Sequence, residues 1–229
     1  MREWSFVLLG IGLSASDMDA YYATRYTFNP ARAVVWKEIV RFLHPFIPAS
    51  ATVLDLGAGY CDFINNVTAK EKIAVDFSPE LSMYAAKDVR QVSANATSFP
   101  DVKADSVDVV HASNLLEHLD DVQLALTMGE VRRVLHAKGK LILLQPNYAL
   151  SVKTYFDDPT HKKIFTDVSL AAFLESAGFK IVLKKARFLP FSMNSRPSFI
   201  PVQPWIVRLY LALPWKPFAG QMLFIAEKI

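Results

Sequence analysis

The chain has 229 residues, with 25 basic against 22 acidic side chains and a formal charge of +3. That length fits one domain carrying insertions, and so even a balance, without strong clustering, excludes a nucleic-acid surface driven by charge. The single cysteine excludes an internal disulfide and a Cys-based metal site, and it fits a reducing compartment.

Hydrophobic residues make up 52% of the chain, high for a soluble enzyme, and the excess lies at the two ends. Trp4 to Leu13, followed by Ser14-Ala15-Ser16, has the form of a short signal h-region and is too short to span a bilayer. Met18 offers a second start just before Tyr21, Tyr22, Arg25 and Tyr26. The expectation for 1–28 is a misassigned start or an amphipathic extension rather than a signal peptide. Asn29 as N-cap and Pro30 in the first turn then open a lead-in helix with Val34, Val35, Trp36, Ile39, Val40 and Leu43 at helical spacing.

Strands are expected at 52–56, 72–76, 90–93, 107–111 and 140–145, separated by helical patterns near 61–69, 79–87 and 121–136. A helix from Thr166 or Asp167 runs through Ala177 and ends at Gly178; Lys180–Phe188 and Gln221–Glu227 are further strands. This alternation means an α/β domain with a parallel sheet and right-handed crossovers. Two acceptor-side insertions interrupt it. The 146–166 segment contains Tyr155-Phe156-Asp157-Asp158-Pro159-Thr160-His161, and 189–220 contains a short helical pattern within Trp205–Trp215. Connections of this length are functional or contain hidden elements.

Val53-Leu54-Asp55-Leu56-Gly57-Ala58-Gly59 is an apolar strand entering a Gly-x-Gly turn, and Asp76 ends the next strand, where a carboxylate can accept bonds from a ribose diol. A dinucleotide fingerprint requires a third glycine where this chain has Asp62, and an acid beside pyrophosphate is unfavourable. A phosphate-free cofactor carries no such penalty.

The pattern resembles the class I S-adenosylmethionine-dependent methyltransferases. That resemblance implies a Rossmann-like doubly wound sheet of order 3-2-1-4-5-7-6 with an antiparallel seventh strand, and S-adenosyl-L-methionine as cofactor. It implies that Asp55, Gly57, Ala58 and Gly59 surround the methionine part, Asp76 binds the ribose, and Phe77 and Ser78 flank the adenine. Ser93–Pro100 is similar to the third motif, with Asn95 where an Asp usually faces the adenine amino group and Ala96 beside it. Val107–His118 resembles the fourth strand and the turn after it, placing Asn114 at the edge of the methyl-transfer site. Cys61 stands where many relatives have a glycine, as a tolerated small side chain. Arg25 is a candidate for the methionine carboxylate.

For a hydroxyl acceptor, the protein must align the reactants, exclude water and remove a proton. His161 is the leading general base, with Asp157 or Asp158 near enough in sequence to orient it; the alternative is that it only finishes a turn. His118 follows Glu117, and the resemblance implies mainly a supporting role in the cofactor pocket. Asp157, Asp158 and His161 supply too few oxygens for a hard cation, so no metal is expected.

The expected function is methyl transfer to a small-molecule acceptor, with O-methylation of a sugar, lipid-linked or polyketide-like metabolite ahead of N- or C-methylation. A nicotinamide-dependent oxidoreductase and a non-catalytic adenosyl-binding protein are the alternatives. In 189–220, Phe191, Phe199, Trp205, Tyr210, Trp215 and Phe218 alternate with Arg196, Arg208 and Lys216. That mixture suits an amphiphilic acceptor, a membrane surface, a homodimer contact or a core-covering flap. The expected location is cytoplasmic, with membrane association through this segment as a variant.

Overall fold

The strand and helix periods resolve, in a computed structural model describing residues 31–190 and 202–229, into one sheet covered on both faces. In chain order the elements are α1 (Ala31–Leu43), β1 (Thr52–Leu56), β2 (Glu71–Asp76), α2 (Leu81–Tyr84), β3 (Val89–Ser93), β4 (Val107–Ser113) and α3 (Asp121–Val134). They continue with β5 (Leu135–Pro146), α4 (Tyr148–Ser151), α5 (Asp167–Ser176), β6 (Phe179–Pro190), α6 (Pro204–Ala212) and β7 (Ala219–Lys228). The sheet order is β3-β2-β1-β4-β5-β7-β6, as expected. The pairings among β1 to β5 are parallel, and β7 runs antiparallel between β5 and β6.

Strands covered on both faces must be apolar at nearly every position, and alternation assigns each residue to one side. Leu54, Leu56, Val75 and Val110 join the layer under α3 and α5. Val53, Ala74, Val109 and Ile142 join the opposite layer, where α1 and α6 pack. The helices over the first layer start at reciprocal caps, Asp120 with Gln123 for α3 and Thr166 with Ser169 for α5.

Three expected elements form differently. No regular helix spans 61–69: Cys61 adopts φ 57, and hydrogen-bonded turns follow. Asparagines supply the reason, because their side chains compete with the helical ladder. The Asn65 amide donates to the Tyr84 carbonyl at 2.8 Å and its oxygen accepts from Ala86 N–H at 2.9 Å, while the Asn66 amide donates to the Asp62 carbonyl at 2.8 Å. The 79–87 helix shrinks to the four residues of α2. β5 begins early at Leu135, then loops out through 136–139 before its register with β4 resumes at Lys140.

The 189–220 segment is partly core covering. α6 packs beside α1, burying Leu211 in the second layer, and Lys216 Nζ donates to the carbonyls of Tyr210 and Leu211 at the helix end. Trp205 and Trp215 remain exposed. Phe191, Arg196 and Phe199, like residues 1–28, lie outside the described residues.

The two covering helices are tied by charge. Buried Glu38 on α1 accepts two hydrogen bonds from Arg208 on α6, at 3.0 and 2.9 Å. The Arg208 hydrogen bond is the main cause holding the Glu38 carboxyl below its ordinary value of 4.5, so the tie stabilises fully above that pH and fades as pH falls through the lowered folded value. Arg208→Ala is expected to lower the urea midpoint near pH 7, because it leaves the Glu38 carboxylate without its hydrogen-bonded partner. The difference from the parent chain should shrink as the pH falls below the ordinary value of 4.5 and Glu38 protonates.

Candidate active site

The carboxyl ends of the parallel strands gather the candidate residues, as the topology of open α/β sheets requires. After β1 the chain turns through Gly57 (φ 70) and Gly59 (φ 49), both left-handed. Gly57 and Ala58 donate their N–H groups to the Val75 carbonyl at 2.9 and 3.3 Å, which fixes the turn against β2. A Cβ on Gly57 would come within 3.2 Å of the Leu115 side chain, whereas one on Gly59 would meet nothing within 4 Å among the described residues. The backbone at Gly59 therefore borders open space.

Asp76 closes the same corner. One carboxylate oxygen accepts from Gly59 N–H and the other from Ser78 N–H, each at 2.8 Å, so every oxygen keeps further acceptor capacity for a ribose diol. Phe77 is 61% exposed beside it. After β3, the Asn95 oxygen accepts from Thr97 N–H at 3.1 Å and from the Thr97 hydroxyl at 3.0 Å, and neighbouring Ala96 is half-buried. With its oxygen used locally, Asn95 has its NH2 group to offer a cofactor. After β4, Asn114 adopts φ 50 and accepts at its side-chain oxygen from Gln221 on β7 at 3.2 Å.

Asp55, expected beside the methionine end, is held by a histidine. Its side chain points into the second layer, 3% exposed, and meets His111 Nδ1 at 2.7 Å. The two residues are partners in the β1–β4 register, and the His111 ring is stacked on Phe63 with centroids 3.7 Å apart. Asp55 is thus a support beneath the glycine turn. The pairing was readable only after the strand register was known.

Asp62 also differs from the lone acid read in sequence: Arg32 Nε donates to it at 2.8 Å. Its repulsion of a phosphate is offset by that guanidinium. The stronger objection to a pyrophosphate is that no regular helix follows the turn to offer it an N-terminus. Cys61 is fully buried at a left-handed position, which explains the preference for glycine there. Burial first, then Asp55, Asp76 and Asp62, push its thiol up to about 12.

A second cluster faces these residues from the turn after β4 and the 146–166 segment. His161 Nδ1 lies 2.6 Å from the Tyr155 carbonyl, an acceptor, so Nδ1 carries the proton and Nε2 is the acceptor nitrogen. The peptide carbonyl of Tyr155, rather than Asp157 or Asp158, therefore orients the ring at Nδ1; Asp158 stands 4.0 Å from Nε2. Asp158 instead accepts from the Thr160 hydroxyl at 2.6 Å, and that hydroxyl oxygen lies 2.9 Å from His118 Nδ1. The chain of donors gives His118 the same tautomer, with Nδ1–H donating toward Thr160 and Nε2 turned to Glu117 at 3.9 Å. The two imidazole rings are 5.0 Å apart.

Glu117 was passed over in the sequence as a cofactor-pocket support. It is 1% exposed, and neither carboxylate oxygen has a hydrogen-bond partner among the described residues. Burial pushes its carboxyl up to about 8, opposed by its own backbone and by the nearby Gln145 amide. That amide nitrogen also lacks a hydrogen-bond partner, so its effect on Glu117 is a proximity effect short of bonding. Burial and the adjacent His161 both pull the His118 pKa down. Two surface depressions of roughly 210 and 550 Å3, one beside Gly139 at the amino ends of β1 and β4 and one between α1 and residues 66–68, hold no such cluster.

Residues 28–184 match the model of a methyltransferase domain family, and the chain belongs to that family. An uncharacterised protein of Methanocaldococcus jannaschii is 30% identical over 191 residues, covering 82% of this chain and 79% of the relative. A SAM-dependent methyltransferase from Archaeoglobus fulgidus superposes with TM-score 0.66 at 21% identity, covering 91% of this chain and 99% of that one. A 1,6-didemethyltoxoflavin-N1-methyltransferase from Burkholderia thailandensis, solved with its substrate and S-adenosylhomocysteine, superposes with TM-score 0.59 at 18% identity, covering 93% and 85%. The fold is that of the class I S-adenosylmethionine-dependent methyltransferases, and S-adenosylmethionine is the cofactor. The residues fit it: open space borders Gly59, and Asp76 retains acceptor capacity. Arg25 lies outside the described residues.

Two outcomes are expected. Asp76→Ala should weaken S-adenosylhomocysteine binding at least about tenfold by calorimetry, since it removes both the ribose acceptor and the anchor of Gly59. Cys61 should resist a thiol reagent at about pH 8 in the native protein and react fully after denaturation.

Proposed function

We propose that the protein transfers the methyl group of S-adenosylmethionine to a hydroxyl of a small-molecule acceptor, a sugar, lipid-linked or polyketide-like metabolite. The observation that carries this reading is the convergence of Glu117, His118 and His161 at the carboxyl edge of the sheet, with both rings presenting Nε2. An amine acceptor needs only its own lone pair, whereas a hydroxyl must lose a proton, and this cluster suits that task.

Bound S-adenosylmethionine supplies an electrophilic methyl group on a sulfonium. Asp76, Asn95 and Ala96 hold the adenosine, the Gly57–Gly59 turn admits the methionine part, and Asn114 borders the transfer path. Glu117, His118 and His161 receive the acceptor's hydroxyl and make its oxygen nucleophilic. The 146–166 segment closes over that oxygen and excludes water. Exposed Trp205, Leu209, Trp215 and Phe218 support an amphiphilic acceptor or contact with a membrane surface. No helix among the described residues is long and apolar enough to cross a membrane. The donor is made and kept in the cytoplasm, which favours that location.

The test begins with calorimetry, in which S-adenosylhomocysteine binds and NADH does not. Methyl-labelled donor incubated with a small-molecule extract should then yield a labelled methyl ether. His161→Ala should cut labelling by at least about a hundredfold while S-adenosylhomocysteine affinity stays within about twofold. Label on nitrogen, or undiminished labelling by the variant, would end the O-methylation reading.

A further inference from the structure

We propose that Glu117, His118 and His161 bind one divalent first-row transition-metal ion, which holds the hydroxyl oxygen of the acceptor. The inference rests on the methyltransferase reading for its role, although not for its chemistry.

One carboxylate oxygen and two imidazole nitrogens lie within 4.8 Å of one another at this point. One carboxylate with two imidazoles is a donor set that zinc, cobalt and iron(II) accept, and it leaves coordination positions open for oxygen ligands. Calcium and magnesium favour all-oxygen shells and are disfavoured. Bonds of about 2.1 Å place such donors roughly 3–3.5 Å apart, so binding draws the side chains together by about 1 Å.

Independent observations point to a cation. The first is Glu117, a carboxylate enclosed by protein with both oxygens lacking hydrogen-bond partners among the described residues, which is the costly arrangement that a bound cation relieves. The second is the outer layer. Metal-binding histidines donate their other ring N–H to a fixed acceptor, which sets the tautomer. His161 does so to the Tyr155 carbonyl, and His118 to Thr160, itself held by Asp158. Both acceptors of these Nδ1–H groups, the Tyr155 carbonyl and the Thr160 hydroxyl, come from the 146–166 segment, so this insertion builds the site as well as supplying one ligand. The sequence reading expected no metal because it paired His161 with Asp157 and Asp158 and set Glu117 aside.

An ion here lowers the pKa of the acceptor's hydroxyl. Its proton passes to solvent and the oxygen bonds to the methyl carbon. The C–S bond breaks with its electron pair remaining on sulfur, which becomes a neutral thioether.

The experiment uses the untagged full chain, stripped with EDTA and titrated with CoCl2 by visible absorption and with ZnCl2 by calorimetry. One equivalent of each should bind with Kd at or below about 10 μM, and saturating zinc should raise the melting temperature by roughly 5 °C. Glu117→Gln and His161→Ala should weaken binding by about 10–100-fold, while exposed, remote His136→Ala leaves it unchanged. Glu117→Gln is nearly isosteric and removes a buried acid, so its metal-free fold should melt no lower than the parent's. Circular dichroism checks this. Absence of binding tighter than about 1 mM, or equal affinity in parent and Glu117→Gln, overturns the site. S-adenosylhomocysteine affinity measured in EDTA reports the methyltransferase reading separately; it should equal that of the metal-loaded protein within about twofold.

Discussion

The carboxylate of Asp76 is the constraint around which the cofactor end of the molecule is arranged. Its two oxygens take the N–H groups of Gly59 and Ser78, and so bind the turn after β1 to the turn after β2. Without that bridge, two glycines at positive φ would leave the first turn free to sample many shapes. The same side chain therefore shapes the turn and, on the proposed reading, faces the ribose. Beneath it, the Asp55–His111 pair supports the turn from inside the sheet, and Arg32 takes the charge of Asp62.

A second centre has the opposite character. The glycine corner is satisfied by backbone amides, whereas Glu117 is enclosed with nothing bonded to either oxygen among the described residues. One centre is held together by its own backbone bonds, and the other encloses an acid with none among the described residues. This division matches a methyl transfer in which the donor's site is generic and the acceptor's site sets the specificity.

The sheet was legible because its signals are local: apolar runs, glycine at the turns and caps at Asp120 and Thr166. The expected order of seven strands followed from the resemblance carried by those runs. The 61–69 helix was misread because asparagine competition and a left-handed Cys61 depend on partners such as Tyr84 and Ala86, about twenty residues away. The pairing of Asp55 with His111 was not legible, because strand register is not visible along the chain. His161 was found by its chemistry, but its orienting group was missed, since a backbone carbonyl leaves no mark in a sequence.

β7 is made after β6, yet it lies between β5 and β6 and carries Gln221 to the side chain of Asn114. During synthesis the first five strands can pair in order while β5 keeps an unpaired edge, with its N–H and C=O groups open to other chains. The Asn114 corner, the proposed rim of methyl transfer, is finished only when residue 221 has left the ribosome. A nascent or truncated chain would thus hold much of the donor's corner before the rim that serves the acceptor, and would meet the cell with a sticky edge in place of an active one.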